Sequence, residues 1–241
     1  MNVLAIGNSF SMDAMRYLSQ IARAQGENLT AINLFIGGCP LERHFRHMHL
    51  GAPYSLQCNG TDTGFLVTMD EALLSRPWDV ITLQQASHFS GKKDSYTPYT
   101  DELVKHVRAL CPKAKLYVHE TWAYEEGSTM LEKHYTGMTS EDMYKNVIRC
   151  YHEIEKEAGF DGLIPSGEVM HALLENGVPK IHRDGFHLSL GLGRYAAGLL
   201  WFRMLTGKSV AENTFADFDE PIAENDIALA KRLVDAVAPL V

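Results

Sequence analysis

Short apolar, β-branched runs alternate along this chain with longer stretches of helical period, and that alternation is the pattern of βα units on a parallel sheet. Strands are expected at 2–6, 30–35, 80–83, 116–119 and 162–164, and helices at 13–25, 101–110, 141–157, 167–176, 189–206 and 224–237. In the first helix Met15, Leu18, Ile21 and Ala22 fall on one face. The strands are continuous apolar runs, so both faces of the sheet must be covered. The expected architecture is therefore a three-layer α/β/α sandwich with a central five-stranded parallel sheet. Two stretches rich in Gly, Ser, Thr and Tyr, 51–64 and 124–139, are expected to be long loops on a functional rim.

The chain is long enough, at 241 residues, to bury one sizeable core, and no Pro/Gly/Ser-rich linker divides it; a single domain over 1–241 is expected. Acidic side chains outnumber basic ones 30 to 22, and the basic residues are scattered. That argues against nucleic acid and against anionic membrane surfaces as partners. The four cysteines (Cys39, Cys58, Cys111, Cys150) lie far apart without CxxC spacing. With no secretory leader at Met1 to Gly7 and no long apolar segment, a cytoplasmic protein with reduced thiols is expected.

In open parallel sheets, ligands bind beyond the carboxyl ends of the strands. The residues there are Gly7-Asn8-Ser9-Phe10-Ser11, Gly37-Gly38-Cys39, Gln84-Gln85-Ala86-Ser87 and Glu120-Thr121-Trp122. Ser9 follows a strand and precedes a helix, which suits either a nucleophile facing the cleft or a helix N-cap; Ser11 is the other candidate cap. Near the far end stands Asp184-Gly185-Phe186-His187. A serine nucleophile needs a general base, and a neutral imidazole needs an acceptor on its second nitrogen to fix its tautomer. An Asp three residues before a His can turn back to supply that bond.

Taken together, Gly7-Asn8-Ser9-Phe10, Ile36-Gly37-Gly38, a Gln after the third expected strand and Asp184-Gly185-Phe186-His187 resemble the blocks of the SGNH hydrolases, also called GDSL-type esterases. The resemblance spans residues 3 to about 206. It implies a flavodoxin-like fold, with Ser9 as nucleophile, His187 as base and Asp184 as its orienting carboxylate. It also implies an oxyanion hole from the amides of Ser9 and Gly38 and a side-chain amide after the third strand. Two departures stand out: the family's usual Asp before the serine is Asn8, and the Gly-x-Asn-Asp block is replaced by Leu83-Gln84-Gln85-Ala86-Ser87. That replacement is similar to the Gln-type block of sialate and xylan acetylesterase-like members, and the whole resembles a bacterial branch of unassigned function. Gln85 is chosen over Gln84 because strand alternation aims only one of them into the cleft.

Asn8, His44 and Trp122 are the expected substrate-lining residues, with Arg43 beside His44. The cluster His44, His47 and His49 lacks the partners of a metal site, and no metal or organic cofactor is expected. Gly191-Leu192-Gly193-Arg194 comes inside a helix, not after a strand, and reads as close helix packing rather than a dinucleotide fingerprint. The leading expectation is a serine esterase acting on small O-acyl groups of a small-molecule or carbohydrate ester. A non-catalytic sugar- or metabolite-binding protein is the alternative, and a hydrolase using the His44 cluster as metal ligands a third.

Overall fold

The computed structural model describes residues 1–238. All five expected strands are present, as β1 (Asn2–Gly7), β2 (Thr30–Phe35), β5 (Val80–Leu83), β6 (Lys115–His119) and β7 (Gly162–Ile164). Their pairings are parallel, in the order β2-β1-β5-β6-β7. The sheet is larger than expected. A hairpin, β3 (Tyr54–Cys58) and β4 (Thr61–Val67), adds antiparallel to β2 and makes a mixed seven-stranded sheet. It occupies the stretch read from sequence as a loop. The turn between its strands, Asn59-Gly60, takes positive φ at both residues, the geometry that a two-residue hairpin demands.

Helices cover both faces. On one, α1 (Ser9–Met15), α2 (Leu18–Ala24), α9 (Leu192–Thr206) and α10 (Glu224–Val237) pack together; elsewhere α3 (Leu41–Leu50), α4 (Met69–Leu74) and α5 (Tyr99–Leu110) do so. The remaining helices are α6 (Thr129–His134), which interrupts the second expected loop, α7 (Ser140–Glu157) and α8 (Ser166–Glu175). The single helix expected at 13–25 is two, broken at Arg16-Tyr17, and it begins at Ser9. Helix α9 is buried nearly all round, as an apolar helix without a polar face must be. A Cβ at Gly193 would stand 2.9 Å from the Ile181 carbonyl, which agrees with the packing reading of this glycine pair. Among the described residues no helix is long and apolar enough to cross a membrane.

The order of the parallel strands changes direction at β1, between β2 and β5. That switch point is where crevices form in open α/β sheets. The chain leaving β1 there is Gly7-Asn8-Ser9.

Candidate active site

Helix α1 begins directly after β1, and Asn8 is its N-cap: the Asn8 side chain accepts from Phe10 N at 3.0 Å. Capping by Asn8 frees Ser9 and Ser11 from that duty. Ser11 instead donates its hydroxyl to Asn8 O and Asn33 Oδ1. Ser9, the first helical residue, keeps a backbone N–H with no acceptor inside the helix, and its hydroxyl lies 2.8 Å from His187 Nε2.

His187 sits on the irregular connection between α8 and α9. Its Nδ1 lies 2.7 Å from Asp184 Oδ2, and its backbone N–H donates to Asp184 Oδ1 at 2.8 Å. Partial burial alone would raise the Asp184 carboxyl, but the ring and amide bonds from His187 outweigh it and hold the group below its ordinary range. A carboxylate on Nδ1 makes that nitrogen the donor, leaving the Nε2 lone pair toward Ser9. Such a relay can take up the hydroxyl proton. Gly185, at φ +87°, makes the turn possible; a side chain there would also meet Ser128 Cβ at 2.8 Å.

The loop is anchored from below by Asp13 and Arg183, which sequence reasoning missed, and by Trp122, which it had placed in the pocket lining. Asp13, fully buried on α1, accepts from Leu188 N at 3.1 Å, from Arg183 Nη1 at 2.9 Å and from Arg194 Nε at 2.9 Å. Arg183 also donates to Leu188 O. Trp122 donates Nε1–H to Phe186 O at 2.8 Å while stacking on Phe10 with ring centroids 4.1 Å apart. Asp13 lies four residues after Ser9, one helical turn along α1.

Three residues expected to line the pocket do not. Asn8, 1% exposed, caps α1, donates to Cys39 O at 3.1 Å and accepts from Gln84 Nε2 at 2.7 Å. Trp122 is wholly enclosed beneath the Phe186 backbone. His44 is buried under the Gly38 loop, 3.1 Å from the Tyr54 hydroxyl, and burial depresses its pKa to about 3. Its neighbour Arg43 is exposed.

Gln85 is not free to face an incoming oxygen either. Its Nε2 donates to Ser95 O and Oγ, and its Oε1 accepts from Leu41 N at 3.0 Å and Ala86 N at 2.8 Å. The alternation rule fails because β5 ends at Leu83, so both glutamines lie past the strand and both are buried. Gln84 belongs to a directed chain. Because Asn8 Oδ1 must accept from Phe10 N, Gln84 presents Nε2 to it and Oε1 to His119 Nδ1 at 2.7 Å. His119 then donates from Nδ1 and accepts the Ser166 hydroxyl at Nε2, 3.0 Å away, with burial lowering its pKa to about 3. These bonds tie together the carboxyl ends of β1, β5 and β6.

Gly38 is exposed at φ +59°, and its N–H has no protein partner among the described residues.

The fold is that of the SGNH hydrolases, with the hairpin as an addition to one edge. A protein proposed to be an SGNH hydrolase, from Slackia heliotrinireducens, superposes with a TM-score of 0.61 at 20% identity, covering 84% of this chain and 97% of its own. An acetylxylan esterase from Geobacillus stearothermophilus gives 0.55 at 14% identity, with 85% and 94% covered. Residues 2–234 match the family model described as a domain of unknown function, DUF4886, and the chain belongs to that family. The crystal structure of a DUF4886 family protein from Bacteroides uniformis ATCC 8492 is 32% identical, with a TM-score of 0.88 over 98% of this chain and 93% of that one. No functionally curated protein matches the sequence.

Proposed function

We propose that this protein is a serine hydrolase that cleaves small O-acyl esters, with acetylated carbohydrates as its substrate class. The observation that carries the reading is the continuous hydrogen-bonded line from Ser9 Oγ through His187 to Asp184, at 2.8 and 2.7 Å. His187 takes the Ser9 proton as Oγ attacks the ester carbonyl. It returns that proton to the leaving alcohol as the bond from the acyl carbon to the alcohol oxygen breaks. Water, activated by the same imidazole, then releases the acid from Ser9. The backbone N–H groups of Ser9 and Gly38 hold the tetrahedral oxyanion. Gln85 acts at one remove: through Leu41 N it braces the segment that carries Gly38. The carbohydrate assignment draws on the fold shared with the acetylxylan esterase and on the Gln-type third block.

Hydrolysis of p-nitrophenyl acetate by the wild type and Ser9→Ala, with and without EDTA, tests the reading, followed by acetate release from acetylated xylo-oligosaccharides. Ser9→Ala should lower kcat/KM by roughly a thousandfold or more, and EDTA should leave the rate unchanged. A wild type inert on several short esters, or a Ser9→Ala variant as fast as the wild type, would leave a binding protein on this fold instead.

A further inference from the structure

A second cluster of reactive groups stands at the β6–β7 edge of the sheet, apart from the Ser9 relay. Glu120 follows β6 directly, Glu168 lies in the first turn of α8, and His152 projects from the last third of α7. One ligand atom from each falls within 4.8 Å of the others, and His152 Nε2 is 3.0 Å from Glu168 Oε1.

Glu120 is the anomaly. It is fully buried, and only one of its carboxylate oxygens is used: Oε1 accepts from Glu168 N at 3.1 Å, at the start of α8. No N–H or O–H reaches Oε2. Buried polar oxygens in native proteins nearly always have a partner, so an orphan oxygen here needs an account. Among the described residues no Lys or Arg pairs with either glutamate; the one partner of Glu168 is His152. Position 167 has to be glycine for this approach, since a Cβ there would stand 2.9 Å from Glu120 Oε1 and 2.4 Å from Thr121 O.

We propose that Glu120, Glu168 and His152 bind a divalent transition-metal ion of the Mn2+ or Zn2+ type, with water completing its coordination. Two carboxylates and one imidazole form a mixed oxygen and nitrogen donor set that suits these ions better than Mg2+ or Ca2+. Ligand atoms around such an ion lie about 3–4 Å apart, given bonds of about 2.0–2.2 Å. Glu120 is fixed by its bond to α8, while Glu168 and His152 are half-exposed and free to close the small remaining gap. The cation supplies Oε2 with its partner, offsets two negative charges and pins β6, α7 and α8 to one another. The site is structural, and ester cleavage at Ser9 does not pass through it.

The test is isothermal titration of untagged, chelator-stripped protein with Mn2+ and Zn2+ separately, and Mg2+ as the comparison ion, on wild type, Glu120→Gln, His152→Ala and Ser9→Ala. One transition-metal ion should bind per chain. Glu120→Gln and His152→Ala should each weaken it by about tenfold or more, and Ser9→Ala should bind like the wild type. Thermal melts check folding: at one ion concentration the melting temperature should rise equally in the wild type and Ser9→Ala, and by clearly less in the other two. Two results would each overturn the proposal: no stoichiometric binding to wild type, or equal binding to wild type and Glu120→Gln. Because Ser9→Ala is the binding control, a failed esterase reading would leave this outcome untouched.

Discussion

Ser9 and His187 meet at 2.8 Å from opposite kinds of structure. Ser9 is the first residue of a helix at the carboxyl end of the central strand, and its place follows from the backbone of β1 and α1 and from the cap that Asn8 makes. His187 belongs to no helix or strand, and its loop is held by side chains rooted far away in sequence: Asp13, 175 positions from Leu188, and Trp122, 64 from Phe186. The proposed nucleophile is therefore set by local geometry and the proposed base by long-range polar bonds. Damage to the second kind of support should lower turnover as well as stability, because it shifts His187, whereas damage to the first should cost stability and leave turnover in the folded fraction largely intact.

The largest effect is expected at Asp13. Asp13→Asn keeps the size of the side chain but leaves Arg183 and Arg194 facing a neutral group at a buried position. Losing one partner of a buried ion pair costs about 3–5 kcal/mol. Denaturant unfolding should show that loss, and ester turnover at temperatures where the variant is folded should fall as well, through kcat rather than KM. An Asp13→Asn protein with wild-type stability and turnover would break the claim that the base loop is held from α1. Next comes Asn8→Ala, which removes a helix cap worth about 1 kcal/mol. It also strands Cys39 O and Gln84 Nε2, at about 1–3 kcal/mol for buried groups left unpaired. Here stability should drop by about 2–4 kcal/mol, while the folded fraction retains most of its kcat. A larger loss of kcat than in Asp13→Asn would reverse the comparison.

The same division explains what could be read from sequence. Ser9, Asp184 and His187 were legible because each sits in a short local pattern: a strand-to-helix junction for one, D-x-x-H for the others. The five parallel strands were legible as continuous apolar runs. The β3–β4 hairpin was not, because β4 is an exposed edge strand whose Asp62, Thr63 and Gly64 carry no apolar run; Asn59-Gly60 alone signalled the turn. Asp13 was illegible for a different reason, since its partners Arg183, Leu188 and Arg194 are 170 or more positions away. Gln85, Asn8 and Trp122 were rightly placed near the strand ends but, like His44, wrongly turned outward. Sequence position gives the height of a residue in the sheet. It does not say whether neighbouring groups will claim its side chain: backbone groups claimed those of Asn8, Gln85 and Trp122, and the Tyr54 hydroxyl that of His44, which lies on α3 rather than at a strand end.

The smallest expected effect is also the cleanest separation of the two supports. Trp122→Phe preserves an aromatic ring against Phe10 and removes one donor, the N–H that reaches Phe186 O, one residue before His187. The lost hydrogen bond is worth about 0.5–1.5 kcal/mol and the smaller ring leaves a void in the core, so stability should fall by about 1–2 kcal/mol, less than in the other two variants. If side-chain bonds from the core position the base, this small loss should still lower kcat for p-nitrophenyl acetate several-fold with KM unchanged, because the change acts on His187 and leaves Ser9 and Gly38 as they were. Adding Asp13→Asn to Trp122→Phe should then cost less than the product of the two separate losses in kcat, since both release the same loop. Fully multiplicative losses would mean that the two residues support different parts of the site, and that the base loop is not one mechanical unit.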